Sequence, residues 1–116
     1  MPSEQIASRL SDIVENIDRI TDHVDGMALG DFEVTPIVID AVERCLQRIT
    51  EAAIKAHPHA QELLPMHDWK AMRNFGNVLR HDYNRISIDV VWWIVQNDLP
   101  ALRHDCARAI EQLDSP

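Results

Sequence analysis

The chain has 116 residues, of which 46% are hydrophobic and 26% charged, and its formal net charge is −8 at pH 7. This length suits one compact domain, so we expect a single domain over residues 1–116. No apolar run approaches the roughly 20 residues of a membrane-spanning helix, and the N-terminus lacks a secretory pattern, so we expect a cytoplasmic protein without membrane contact. A chain this acidic is a poor candidate for a general nucleic-acid binder, because such proteins neutralise many phosphates with lysine and arginine side chains.

The N-terminal half contains two predicted helices. Apolar residues from Ile6 to Val24 alternate at spacings of four and three, which is the stripe of an amphipathic helix. Glycines at positions 26 and 30 interrupt this pattern, and Thr35-Pro36 supplies the N-cap and first residue of a second helix. This helix should end near His57-Pro58, where proline forbids continuation. Its predicted buried face consists of Val38, Ala41, Val42, Cys45, Ile49, Ala52 and Ala56.

The C-terminal half begins with a predicted loop, because residues 58–67 contain two prolines and little periodicity. Asp68 is the predicted N-cap of a third helix, whose apolar stripe is Trp69, Met72, Phe75 and Leu79. A fourth helix should begin near Ser87 or Asp89 and bury Val90, Trp93 and Ile94.

Asp98-Leu99-Pro100 then predicts a kink or a new helix start, after which the apolar stripe continues with Leu102, Cys106, Ile110 and Leu113. Cys45 and Cys106 both fall within helical stripes, so we interpret them as small buried hydrophobes rather than a disulfide pair. No strand pattern competes with these helices. The sequence therefore predicts an all-α fold, an antiparallel bundle of four to five helices.

The segment Arg73–Tyr83 concentrates polar chemistry, with an imidazole, a phenol, two guanidiniums and two amides in eleven residues. Between Trp69 and Arg85, four cations stand against one anion, a local charge of +3 that leaves −11 for the rest of the chain. A small basic patch on an acidic body suits one or two phosphates, or an interface with a partner.

These residue types suit RNA cleavage without a metal, because the 2′-hydroxyl of RNA is its own nucleophile and the protein need only move protons and stabilise charge. An unperturbed imidazole titrates near pH ~6.5, so His81 is the candidate acid and base. Arg73 and Arg80 offer guanidiniums for phosphate oxygens. Asn77 lies one helical turn before His81 and could orient it or bond the ribose. Tyr83 follows two residues later.

Each of these residues also has a purely structural interpretation. His81 could complement the helix dipole, and the two arginines could be solvated surface charges. Asn77 could be a C-terminal helix signal, and Tyr83 a half-buried packing residue.

Three separated blocks of the chain resemble one known family. They read L-x-D-I-x-x-x-I-x-x-I at Leu10–Ile20, D-A-V-x-R-x-L-x-x-I-x-E-A at Asp40–Ala52, and R…HxY, with the wording N-x-L-x-H-D-Y, within Arg73–Tyr83. The R…HxY segment resembles the signature of the HEPN superfamily, and the wording resembles its HepT-like subgroup. These are toxin partners of minimal nucleotidyltransferase (MNT) antitoxins.

The resemblance implies a homodimer of HEPN-like helical bundles whose R…HxY segments meet in a composite cleft. It implies a metal-independent ribonuclease toxin without a cofactor, with RNA as substrate. It also implies that the MNT antitoxin transfers AMP from ATP to the motif tyrosine, which is Tyr83. An adenylyl group beside His81 would occupy the place of RNA and so neutralise the toxin.

The chain departs from the family pattern at the arginine, which usually stands about five residues before the histidine. Gly76 holds that position, whereas Arg73 is eight residues before His81 and Arg80 is adjacent to it. Eight helical residues span about 12 Å, too far for Arg73 and His81 to hold one phosphate within a protomer. Either the dimer mate supplies the arginine, or Arg80 substitutes for it, or the nuclease is weak or absent.

Other candidate sites are weaker. His57, His59 and His67 could suggest a metal, but no cysteine or carboxylate pair completes a ligand spacing, so we predict an exposed loop and no metal. Glu51 could face the cleft or be a solvated carboxylate. Trp92 and Trp93 point about 100° apart on a helix, so one could lie in the core and the other at a dimer seam.

Three function classes follow. The chain is an RNA-cutting enzyme, an acceptor whose Tyr83 is modified by a partner nucleotidyltransferase, or a helical dimer that only scaffolds a partner. Retention of both His81 and Tyr83 argues against the scaffold.

Overall fold

In a computed structural model, residues 3–115 are described, and they contain seven α-helices and one turn of 3₁₀-helix but no strand. The helices are α1 (Ser3–Val24), α2 (Leu29–Glu33), α3 (Pro36–Ala56), α4 (His59–Leu63), α5 (Trp69–His81), α6 (Ile88–Asn97) and α7 (Leu99–Asp114), and the 3₁₀ turn covers Tyr83–Arg85. Five of these helices have ten or more residues. The predicted all-α, HEPN-like bundle is therefore confirmed.

Helix α1 forms the centre of the bundle, packed between α3 and α7. Its predicted apolar stripe is buried throughout: Ile6, Leu10, Ile13, Ile17, Ile20 and Val24. Cys45 on α3 and Cys106 on α7 are buried free thiols in the same core, as predicted. Burial of these side chains is the main source of stability, because apolar surface leaves water.

Helix α3 begins as predicted, with Thr35 as N-cap and Pro36 as first residue, and it ends before His57-Pro58. The Thr35 hydroxyl does not cap the helix but donates to the carbonyl oxygen of Asp31 at 2.7 Å. Its predicted inner face is confirmed, since five of the seven residues are buried and Val38 and Ala41 are half-buried.

Residues 58–67 are not entirely a loop, which corrects the prediction, because α4 lies within them. Ala60 and Leu64 are buried against the core, so two apolar contacts stabilise a helix too short to show periodicity. The indole Nε1 of Trp69 donates to the carbonyl oxygen of Leu64 at 2.7 Å, and His67 Nε2 lies 2.7 Å from Asp105 Oδ2 on α7. These bonds fix the segment that leads into α5.

The predicted buried face of α6 is wrong at two of its three positions, and only Ile94 packs, half-buried, against the core. Val90 and Trp93 are 49% and 57% exposed, and the buried residues are Val91 and Val95. Trp92 packs on Phe32 of α2, with ring centroids 5.1 Å apart. Apolar residues surround most of this helix, so periodicity alone could not decide which side faces the core. The predicted new start near Asp98 is confirmed, because α7 begins at Leu99.

Candidate functional site

The polar segment occupies helix α5 and the turn that follows it. Asp68 caps the helix as predicted, because its Oδ1 accepts from the backbone N–H of Ala71 at 2.9 Å. The helix ends at His81, and the N–H of Asp82 donates to the carbonyl oxygen of Val78 at 2.8 Å. The candidate groups therefore lie at the C-terminal end of a capped helix, where the helix dipole favours cations.

Asn77, Arg80 and His81 all lie on the last two turns of α5. Arg80 Nη2 donates to Asn77 Oδ1 at 2.5 Å, and His81 beside it is exposed. Among the described side chains, the Asn77 amide therefore contacts Arg80 and not His81. The end of α5 thus carries an accessible imidazole, and the preceding residue carries a guanidinium that the Asn77 amide holds in place.

Arg73 lies apart from this group. Its side chain lines a small cavity of 60 Å³ with Trp69 and with His57 at the end of α3. Eight residues of α5 separate it from His81, about 12 Å of helical rise. Along α5, Arg80 is therefore next in sequence to His81, whereas Arg73 lies two turns away.

Gly76, where the family resemblance leads us to expect an arginine, is buried where α5 crosses α3. A Cβ atom there would lie 2.6 Å from Thr50 Oγ1 and 2.8 Å from Thr50 Cβ. Both distances are shorter than van der Waals contact, so this position of α5 has no room for a side chain. Packing therefore explains why this position is glycine and not arginine: α3 and α5 approach each other too closely here for a side chain.

Tyr83 opens the 3₁₀ turn two residues after His81, and its side chain is outside the described part of the structure. The turn is bridged by Arg85 Nη1, which lies 3.0 Å from Asp82 Oδ2. This pair is exposed, so it contributes little stability, but the Asp82 carboxylate offsets the charge of Arg85, one of the four cations of the basic patch.

Two features were missed in the sequence. One is a groove of 260 Å³ between α1 and α3, which we call the α1–α3 groove. Its lining residues are Arg9, Asp12, Asn16, Arg44, Arg48, Glu51, Ala52 and Lys55. The spacing of Arg44, Arg48 and Lys55 at four and seven residues was the available signal, because it places three cations on one face of a helix.

The other missed feature is the pair of His67 and Asp105, which lies at a 650 Å³ cavity lined mainly by apolar side chains of α3, α5, α6 and α7. Burial, together with the neighbouring Asp105 charge, raises the pKa of the adjacent Cys106 thiol to about 12. That thiol stays protonated and is a poor nucleophile. No local sequence pattern predicts this contact, because His67 and Asp105 are 38 positions apart in the chain.

The three histidines considered for a metal site have other contacts. His57 Nε2 lies 3.0 Å from Gln61 Oε1, His59 Nδ1 lies 3.8 Å from Glu62 Oε2, and His67 contacts Asp105. Across residues 3–115, no three side chains of histidine, cysteine, aspartate or glutamate group together in a way that could hold a metal ion. In the same range, no helix has the length and apolar character needed to cross a membrane.

An all-α bundle with an exposed histidine and nearby arginines at a helix C-terminus agrees with the class that the sequence resemblance implied, the HEPN-type ribonucleases. Comparison with known proteins specifies the family. The model of the family "Ribonuclease HepT-like" matches residues 13–109, so the chain belongs to the HepT-like ribonuclease family.

Named relatives agree with this assignment. A "Putative RNase" of Methanocaldococcus jannaschii is 31% identical over 100 residues, which cover 86% of this chain and 83% of the relative. The "Probable ribonuclease HepT" of Thermococcus cleftensis is 30% identical over 94 residues, covering 81% of this chain and 86% of the relative. A second "Putative RNase" of M. jannaschii is 26% identical over 114 residues, covering 98% and 94%. No solved structure shows significant similarity.

Proposed function

We propose that the chain is a metal-independent endoribonuclease, the toxin of a HepT/MNT toxin–antitoxin pair in the cytoplasm. The observation that carries this proposal is the exposed imidazole of His81 at the end of α5, next in sequence to Arg80, whose guanidinium is held by Asn77. Membership of the HepT-like ribonuclease family supports it.

The proposed chemistry uses the nucleophile of the substrate. The ribose 2′-oxygen attacks the adjacent phosphorus, the bond from phosphorus to the 5′-oxygen breaks, and a 2′,3′-cyclic phosphate and a 5′-hydroxyl form. His81 carries the proton from the 2′-hydroxyl or delivers one to the leaving 5′-oxygen. The guanidinium of Arg80 binds the phosphate oxygens, whose charge grows in the transition state.

The roles of the two arginines follow from Gly76. No side chain fits there against Thr50, so the phosphate at His81 must take its cation from elsewhere. Arg80 is the arginine of α5 nearest to His81 in sequence. Arg73, two turns away, serves a neighbouring phosphate or the site of the partner protomer. In its contact with Arg80, Asn77 acts as a positioning residue.

A homodimer with a composite cleft fits this division of roles. Exposed apolar side chains often mark interaction surfaces, and Val90 and Trp93 of α6 are 49% and 57% exposed. Trp92 packs inward on Phe32, so the tryptophan pair divides between the interior and an outer surface suited to the seam.

Tyr83 is the proposed switch. The MNT antitoxin transfers AMP from ATP to the tyrosine hydroxyl, forming a phosphodiester on the phenolic oxygen and releasing pyrophosphate. The backbone places Tyr83 in the tight turn directly after His81. A bulky anion there excludes the phosphate of RNA by both volume and charge.

A second candidate function is a catalytically weak dimer that serves mainly as acceptor and binding partner of the nucleotidyltransferase. The packing of Gly76 on Thr50 favours it, because the usual arginine cannot be accommodated.

The test incubates the purified chain with total and transfer RNA in the presence of EDTA. Wild type should cut, and His81→Ala should be slower by roughly 10²–10⁴-fold, since it lacks the acid and base. His104→Ala is the matched control, because His104 is an exposed histidine of α7 and should cut like wild type. Equal cutting by wild type and His81→Ala would contradict the catalytic role.

A second experiment separates the two candidates. Co-expression with the MNT partner, which uses cellular ATP, should add one adenylyl group to wild type and none to Tyr83→Phe. Mass spectrometry of the purified chains measures this difference. Tyr83→Phe should remain toxic but escape neutralisation. AMP transfer without any RNA cutting by the unmodified chain would leave the acceptor function alone.

A further inference from the structure

The α1–α3 groove is basic in an acidic protein. Four of its lining side chains are cations, Arg9, Arg44, Arg48 and Lys55, and two are carboxylates, Asp12 and Glu51. Its local charge of +2 contrasts with −8 for the whole chain. Such a concave cationic surface favours an anionic ligand.

The existing contacts leave much of this charge available. Arg9 Nη1 lies 3.8 Å from Asp12 Oδ2, and Arg44 Nη1 donates to the neutral Gln47 Oε1 at 2.9 Å. Within residues 3–115, neither Arg48 nor Lys55 forms an ion pair with a carboxylate. At least two cations of the groove can therefore receive phosphate oxygens without breaking an ion pair.

Asn16 supplies an independent sign of a ligand. It lines the groove, is 6% exposed, and its Nδ2 donates to the carbonyl oxygen of Asp12 at 2.8 Å. Its Oδ1 is buried with no donor among the described residues. A buried acceptor without a donor is costly and uncommon, so the site suits a ligand that brings a hydroxyl or amine.

We propose that the α1–α3 groove binds a ribonucleotide unit of single-stranded RNA away from the cut, with Arg44, Arg48 and Lys55 on the phosphate. Rotation of the Asn16 side chain exposes its buried Oδ1 to the groove, where it accepts from the ribose 2′-hydroxyl. This proposal deepens the ribonuclease function proposed above and rests on it. The 2′-hydroxyl is the group that distinguishes RNA from DNA, and Asn16 is the acceptor that can read it.

The position of the groove agrees with this role. Thr50 contacts Gly76 of α5, whereas the groove cations Arg44, Arg48 and Lys55 lie about 120–160° from Thr50 around α3. The groove and the helix that carries His81 therefore lie on different sides of α3. An RNA strand must pass around α3, which is roughly 10–12 Å across, to contact both.

The first test measures fluorescence anisotropy with a labelled single-stranded RNA 12-mer and the matching DNA, in an uncleaving His81→Ala background. Arg48→Gln should weaken RNA binding about tenfold and lower the salt slope by about 0.7, the value for one phosphate contact on a single strand. Arg108→Gln, the same charge change at a site of α7 outside the groove, should do neither. Equal affinities for Arg48→Gln and Arg108→Gln would overturn the proposal.

The second test concerns Asn16. Asn16→Leu keeps the shape of the side chain but removes the acceptor, so it should reduce the preference for RNA over DNA about three- to tenfold and leave DNA affinity unchanged. A folded Asn16→Leu variant with an unchanged RNA to DNA ratio would overturn the role of Asn16. Since Arg48 is exposed, Arg48→Gln tests the groove even if Asn16→Leu fails to fold.

Free AMP is the other source of a ribose phosphate, and it is titrated as a competitor. RNA should bind at least about tenfold more tightly than AMP, because it adds further phosphate contacts. AMP binding that Arg48→Gln abolishes while RNA binding persists would overturn the assignment to RNA.

The two proposals fail separately. A wild-type chain that binds RNA through the groove but never cuts it would refute the ribonuclease alone. Cutting that depends on His81, with RNA affinity unaffected by Arg48→Gln, would refute the groove alone.

Discussion

Helices α1 and α5 show how differently two parts of one small bundle are built. Helix α1 packs between α3 and α7 and buries a complete apolar stripe, whereas α5 packs chiefly on α3 and buries only Trp69, Gly76 and Leu79. The remaining surface of α5 carries the arginines, amides and histidine of the candidate site. The contrast teaches that the apolar core and the polar candidate site of α5 lie on different surfaces of the bundle, because the His81 imidazole is exposed whereas the stripe of α1 is buried.

The largest expected effect contrasts these helices directly. Ile13→Ala in α1 removes a fully buried side chain and should destabilise the protein by about 2–5 kcal/mol. Met72→Ala in α5 should cost about 1–2 kcal/mol, because this side chain is only half-buried. Chemical denaturation measures both free energies of unfolding. Equal losses would show that α5 is as firmly packed as α1.

The second prediction concerns the contact between α3 and α5. Gly76→Ala should destabilise by about 1–3 kcal/mol, although alanine is the better helix former, because its Cβ meets Thr50. Gly30→Ala is the matched control, since a Cβ there has nothing within 4 Å, and it should be neutral or slightly stabilising.

Thr50→Gly removes the atoms that clash and should reduce the cost of Gly76→Ala in a double-mutant cycle. A stabilising Gly76→Ala in the wild-type background would disprove the steric reason for glycine at this position.

The third prediction uses the buried thiol of α7. The folded-state pKa of Cys106, about 12, lies above the ordinary 9.0, so the folded state keeps its proton where the unfolded state has lost it. This contribution is fully present below pH 9 and is lost as pH rises from 9 towards 12. By pH ~10 the difference in proton binding should have lowered the free energy of unfolding by about 1.4 kcal/mol. Between neutral pH and pH ~10, wild type should therefore lose that much more stability than Cys106→Ala.

Urea denaturation of wild type and Cys106→Ala at the two pH values measures this difference. Cys45 contributes in the same direction to both proteins, so its effect cancels. Parallel losses in the two proteins would mean that the Cys106 site is open to water.

The smallest expected effect lies at the border between α3 and α5, where Glu43 shares a cavity with Leu79. Burial, and then the nearby Asp40 charge, raises the pKa of the Glu43 carboxyl. Its folded state therefore binds a proton more tightly than the unfolded state, and stability falls as pH rises through the folded pKa.

Glu43→Gln should stabilise the protein at neutral pH by less than about 0.5 kcal/mol, and the gain should vanish below pH ~4.5. Thermal denaturation across this range measures it. Asp40→Asn removes the Asp40 charge and should reduce the stability gained by Glu43→Gln. A larger stability gain in the Asp40→Asn background would contradict repulsion between the Asp40 and Glu43 carboxylates.

Much of the fold could be predicted from patterns within single helices. The stripes of α1 and α3, the caps at Thr35 and Asp68 and the start of α7 depend on neighbours a few residues apart, which the sequence displays directly. The face of α6 was wrong at Val90 and Trp93, because valines and tryptophans surround this helix and hydrophobicity alone does not rank its sides. Only contact with α2 and α7 selects the buried side.

The candidate site divides in the same way. The sequence by itself determined that His81, Arg80 and Asn77 share the end of one helix, because helical spacing within α5 requires it, and its motifs pointed to the family that the comparisons show. Only the tertiary structure decided that Gly76 has no room for an arginine, that His67 contacts Asp105, and that Asn16 faces cations of α3. Those facts depend on the distance between helices that are remote in the chain, which packing sets and local spacing does not encode.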